Sequence, residues 1–146
     1  MAFWDTSALV KLYVRERDSE HFREMARTST EIPMISQLTL AEMHRALLGK
    51  VFARVIQPDR AETTYRRFRS DVEAAILDVI PFGRDVQQEF DRIIAMCYRA
   101  TPAVPICTLD GLLLASALVG RAPELVTTDA RMRGAGMLLG LRVRPE

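Results

Sequence analysis

The sequence is poor in the residues that most often mark a site. Its two cysteines, Cys97 and Cys107, form no Cys-x-x-Cys pair and have no histidine at ligand spacing, which argues against a disulfide framework or a zinc site. Both read as buried apolar residues. The two histidines, His21 and His44, fall in helical stretches with no second ligand beside them. A glycine-rich phosphate loop is missing, because Gly134 to Gly136 lacks both the preceding strand and the other motif positions. No serine sits in a GxSxG elbow followed by an acid and a histidine. No apolar run approaches the roughly 20 residues that span a bilayer. Nothing before Asp5 resembles a secretory leader, so a soluble, cytoplasmic protein without membrane association is expected. Lysine is nearly absent: Lys11 and Lys50 stand among 20 basic residues, the rest being arginine. That excess reads either as compositional bias or as phosphate recognition by planar guanidinium forks.

What is present suffices for one ordinary core. A chain of 146 residues, 49% apolar, can bury a single hydrophobic interior, and one domain over residues 1–146 is expected. A net charge of +1 argues against a generic nucleic-acid coat protein but leaves a local nucleic-acid-binding face open. Short apolar runs alternate with helical periodicity. Strands are expected at Ala2 to Trp4, Ile32 to Ser36, Leu77 to Pro81, Leu125 to Thr127 and Leu141 to Val143. Helices are expected at Ser7 to Val14, after caps at Asp18 and Ser19, from Leu38 onward, at 59 to about 77, at Arg84 to Arg99, at 109 to 119 and at Arg131 to Leu138. Alternating strands and helices imply an α/β fold, a three-layer α/β/α sandwich around a short, mostly parallel, twisted sheet.

Four acids occupy positions where such a sheet places ligands, beyond the carboxyl ends of its strands. Asp5 follows the first strand and Asp129 the fourth, while Glu42 and Asp110 lie in the opening turns of helices. Each has an ordinary alternative. Asp5 could cap the helix starting near Ser7. Thr39 to Glu42 matches a capping box, with the glutamate reaching back to the cap amide. Asp110 and Asp129 suit the positive ends of helix dipoles. Taken together, however, four carboxylates converging on one sheet edge would repel one another unless a cation were bound. Oxygen donors without thiol or imidazole select Mg²⁺, Mn²⁺ or Ca²⁺ over zinc or copper.

The segments FWDTSALVKLYVRE, SQLTLAEMHRAL, CTLDGLLLASAL and LVTTDARMRGAGMLLGLRV, in that order, resemble the four signature regions of PIN-domain ribonucleases, and more narrowly VapC-type toxins of type II toxin–antitoxin pairs. The resemblance spans nearly the whole chain. It implies a PIN-like fold, with Asp5, Glu42, Asp110 and Asp129 as the catalytic acids that bind one or two Mg²⁺ or Mn²⁺ ions. Ser7 and Thr127 are implied to orient those carboxylates or bound water. Two positions depart from the pattern: Gly111 follows Asp110 where alanine is commoner, and Leu113 stands where a histidine often occurs. Neither removes an implied ligand.

The implied activity is hydrolysis of RNA phosphodiester bonds. The cations nearest the acids, Lys11, Arg15, Arg131 and Arg133, are candidate phosphate contacts, or else ordinary surface charge. The implied partners are an RNA substrate, a VapB-type antitoxin and a second copy in a homodimer. The helix around Leu47, Val51 and Phe52 offers apolar side chains either to an antitoxin segment or to its own core. Rival readings are a PIN nuclease of RNA processing or DNA repair without a toxin role, and a non-catalytic RNA-binding or regulatory protein. A phosphoacceptor receiver is disfavoured, because it needs a lysine near the last strands.

Overall fold

The computed structural model describes residues 1–146. Five three-residue strands, β1 (Ala2–Trp4), β2 (Met34–Ser36), β3 (Asp78–Ile80), β4 (Glu124–Val126) and β5 (Arg142–Arg144), form one sheet in the order β3-β2-β1-β4-β5. All four pairings are parallel, with Phe3 opposite both Met34 and Leu125. Seven helices complete the chain: α1 (Thr6–Tyr13), α2 (Ser19–Thr28), α3 (Leu38–Phe52), α4 (Pro58–Glu73), α5 (Arg84–Arg99), α6 (Thr108–Val119) and α7 (Ala130–Leu138). No helix is long and apolar enough to cross a membrane.

The sheet separates two cores because successive strand side chains point to opposite faces. Phe3, Met34 and Leu125 face α5, α6 and α7, where they meet Ile93, Leu113 and Met132. Trp4, Ile35 and Val126 face the other way, toward Leu9 of α1, Phe22 of α2, Leu47 of α3 and Phe68 of α4. This is the expected three-layer sandwich, its sheet parallel throughout and apolar on both faces. Each fully buried Phe or Leu contributes about 1.5–3 kcal/mol by leaving water. Leu113 is one of these core residues, at 0% exposure.

Several boundaries fall earlier than periodicity suggests. The helix expected to run to about residue 77 ends at Glu73, because Ala75 takes φ +55° and the Ile76 amide donates back to the Asp71 carbonyl at 3.0 Å. The same closure ends α3 at Arg54 (φ +59°), α6 at Arg121 (φ +57°) and α7 at Gly140 (φ +83°). Each satisfies otherwise orphaned carbonyls through a left-handed residue. Only α7 uses glycine for it; α6 carries Gly120 one residue earlier and ends at Val119 as expected, so it is the α3 and α4 stops that leave no local mark in the sequence.

The strand order reverses around β1. The chain steps outward through β2 and β3, then returns to the other side of β1 for β4 and β5. A crevice at the carboxyl ends of β1 and β4 is the natural binding position in such a sheet.

Candidate functional site

Asp5 sits directly beyond β1, its amide donating to the Val126 carbonyl at 3.0 Å. It occupies the cap position of α1, but its side chain makes no capping hydrogen bond. Instead Oδ2 accepts the Ser7 hydroxyl at 2.6 Å and the Thr127 hydroxyl at 2.8 Å. Ser7 Oγ in turn accepts the Thr128 amide at 3.1 Å, and Thr127 Oγ1 accepts the Asp129 amide at 3.1 Å. One carboxylate oxygen thereby ties the end of β1 to the loop after β4. Asp5 is 5% exposed, and burial raises its pKa despite the two hydroxyls and the nearby Thr6 and Ser7 amides, which pull it down.

Glu42 does not close a capping box. Thr39 lies inside α3, fully buried, with Oγ1 lacking any hydrogen-bond partner, and Ser36 Oγ accepts the Leu38 amide at the helix start. Glu42 faces the crevice, where Oε2 accepts the Thr6 hydroxyl at 2.7 Å. Burial, joined by the negative charges of Asp5 and Asp110 and opposed by that hydroxyl, pushes its pKa up to about 7. Asp5, Glu42 and Asp110 therefore share one electrostatic neighbourhood.

Asp110 stands in the first turn of α6, its amide directed at Cys107 Sγ at 3.5 Å. Cys107 is thus an exposed helix cap and not a buried apolar residue, whereas Cys97 is buried as expected. Gly111 is required by packing, since a Cβ there would lie 2.7 Å and 2.9 Å from the Phe90 ring. Asp129 caps α7: its Oδ1 accepts the Arg131 and Met132 amides, both at 2.9 Å. The ordinary reading of Asp129 accounts for one oxygen and leaves Oδ2 without a partner.

Glu42, Asp110, Thr6, Ser7 and Thr128 line a cleft of about 1030 Å³ that runs along α3 to Phe52 and Val55. Asp5 and Asp129 do not themselves line it: Asp5 is buried and bonded to Ser7, which does, and Asp129 follows the lining residue Thr128 in the chain. No three His, Cys, Asp or Glu side chains are gathered into a ready metal cage. The donor chemistry nonetheless suits a hard cation, because every acid retains a carboxylate oxygen with no side-chain partner.

The candidate phosphate contacts fare unevenly. Lys11 lines the cleft, but its ammonium is bound at 2.7 Å to both Glu16 and Asp18, which outweigh burial and raise its pKa. In this structure Lys11 is engaged in ion pairs at the turn after α1. Arg15 and Arg131 are exposed and outside the cleft lining. Arg133 is half-buried and donates to the Thr127 carbonyl at 3.3 Å, bracing the loop after β4. Thr6, Glu16, Arg45 and Lys50 also line the cleft and were not singled out from the sequence. The spacing of Arg45 and Lys50 from Glu42, three and eight residues on one helix, was the available signal.

A sequence profile described as the PIN domain matches residues 2–136. The chain belongs to the PIN-domain family. The fold of this PIN domain is similar to FitAcB from Neisseria gonorrhoeae (TM-score 0.73, 16% identity, covering 98% of this chain and 96% of the other). It is also similar to VapC20 from Mycobacterium tuberculosis, described as a Sarcin-Ricin loop cleaving toxin (TM-score 0.67, 15% identity, 93% and 95% covered). A third similar fold is in a DNA-bound VapBC from Salmonella typhimurium (TM-score 0.66, 19% identity, 98% and 96% covered). No curated protein matches the sequence.

Proposed function

We propose that this PIN domain, over residues 1–146, is a Mg²⁺- or Mn²⁺-dependent endoribonuclease and the toxin of a toxin–antitoxin pair. The observation that carries the nuclease reading is the cleft lined by both Glu42 and Asp110, with the Glu42 pKa pushed up to about 7 by burial and by the negative charges of Asp5 and Asp110. Such a site stores unfavourable charge that a divalent cation relieves. Asp5, Glu42, Asp110 and Asp129 would hold it, as one ion or two. When bound, a divalent ion supplies Lewis-acid stabilisation of charge on the phosphate and makes water easier to deprotonate.

The chain's own residues supply the positioning. Ser7 and Thr127 fix Asp5, so the carboxylate is oriented before substrate arrives, and Thr6 does the same for Glu42. The amino ends of α6 and α7 carry Asp110 and Asp129, and their partial positive charge favours both the carboxylates and an incoming phosphate.

The toxin role is supported by the similarity of fold to toxins of such pairs, as is a cognate VapB-type antitoxin as partner. A homodimer and a cytoplasmic location fit the same reading. The decisive experiment compares the wild type with Asp5→Asn and Asp129→Asn on structured RNA, with Mn²⁺ and with a chelator. Metal-dependent cleavage lost in both variants is expected. Cleavage that survives both substitutions removes the assignment.

A further inference from the structure

The α3 wall of the cleft carries two features that the carboxylate chemistry leaves unused. Three cations line the cleft, Lys11, Arg45 and Lys50. Lys11 is held by Glu16 and Asp18, and Lys50 pairs with Glu16. Both lysines are thereby turned onto the α1–α2 connection, and burial of Glu16 is overcome by the two ammonium groups, which hold its pKa low. Arg45 makes no ion pair or hydrogen bond. Its guanidinium lies over Gly49, where an added Cβ would stand 3.7 Å from Nη1, so it points down the cleft away from Glu42.

In that direction lies Phe52, at 91% exposure the most open large apolar side chain of the protein. It is held out at the last turn of α3, where the Arg54 and Val55 amides close the helix on the Val51 and Lys50 carbonyls at 2.9 Å and 2.8 Å. Arg45 and Phe52 are seven residues apart, hence on one face and about 10 Å apart along the axis. A free guanidinium and an uncovered aromatic ring, joined by one cleft to the acids, match a chain that alternates phosphates with planar bases.

We propose that Arg45 and Phe52 form a nucleotide-binding subsite for single-stranded RNA. Arg45 takes a phosphate flanking the one to be cleaved, and Phe52 stacks a base one or two nucleotides beyond. The proposal rests on reading the cleft as a ribonuclease site, and it assigns the direction of the strand path: along α3, from Glu42 toward Val55. A protein segment would also cover an exposed phenylalanine. The unpaired arginine between Phe52 and the acids favours nucleic acid, since it would otherwise be covered without a partner.

The test uses a short 2′-O-methylated RNA, which resists cleavage, in fluorescence anisotropy over a salt series. Wild type, Arg45→Ala, Phe52→Ala and Phe52→Trp are compared, with melting curves to establish that each is folded. Phe52→Ala is expected to weaken binding about 5- to 150-fold. Phe52→Trp should restore it, with its emission quenched on binding. Arg45→Ala should lower the slope of log K against log salt by about 0.7. If wild type cleaves unmodified RNA while Arg45→Ala and Phe52→Ala keep its affinity and salt slope, the subsite is refuted and the nuclease reading stands. If wild type neither binds nor cleaves RNA, both fall. Loss of a captured partner protein with unchanged RNA affinity would make Phe52 a protein-docking residue and overturn the subsite.

Discussion

Replacing Glu42 with glutamine tests whether the acidic cleft stores the repulsion described above. In the folded protein the Glu42 pKa is about 7 against an ordinary value of 4.5, with burial as the main cause and Asp5 and Asp110 adding to it. The folded state therefore binds the proton more tightly than the unfolded state. Stability from this group is full below about pH 4.5 and is lost as pH rises through about 7. At 1.36 kcal/mol per pKa unit the gap sets an upper limit of about 3 kcal/mol, and because Glu42 is only half-buried, solvent screening brings this to about 2 kcal/mol. Glutamine resembles the protonated acid: its carbonyl oxygen can accept the Thr6 hydroxyl, and it carries no charge. In metal-free buffer, Glu42→Gln should melt with the wild type at pH 5 and about 6 °C above it at pH 8. Mn²⁺ should close the difference at pH 8 by stabilising the wild type more than the variant. An equal offset at both pH values, or a variant less stable at pH 8, would refute the electrostatic reasoning.

Asp129 separates capping from catalysis. Asp129→Asn should keep the Arg131 and Met132 amides capped and melt within about 2 °C of wild type while losing RNA cleavage; Asp129→Ala should also lose about 1 kcal/mol of stability. Equal melting of the two variants would show that Oδ1 does not cap. Gly111→Ala should lower the melting temperature, since the clash with Phe90 costs about 1–3 kcal/mol and outweighs a helix-propensity gain of about 1 kcal/mol. A rise in melting temperature would remove the packing role of this glycine.

The sequence alone determined what local periodicity encodes. Alternating apolar strands and amphipathic helices required a parallel sheet covered on both faces, and the positions of Asp5 and Asp129 after β1 and β4 placed them at its carboxyl edge. Glu42 and Asp110 stood in opening helical turns, where the family signatures strengthened their place beside the other two acids. The ends of α3 and α4 were less legible, because Arg54 and Ala75 adopt left-handed conformations that glycine would have announced.

Only the tertiary structure decided what each side chain does with its neighbours. Thr39 and Glu42 satisfied a capping pattern by spacing, yet Glu42 turns to Thr6, 36 residues away, because α1 and α3 pack across the same sheet face. Asp5 is oriented by Thr127, 122 residues distant, once β1 and β4 pair. Lys11 is drawn to Glu16 and Asp18 by the turn after α1, while Arg45 and Phe52 are left uncovered on the cleft wall. Periodicity reports which face of an element is apolar. Which polar groups meet across that face depends on how separate elements are brought together, and no single stretch of the chain contains it.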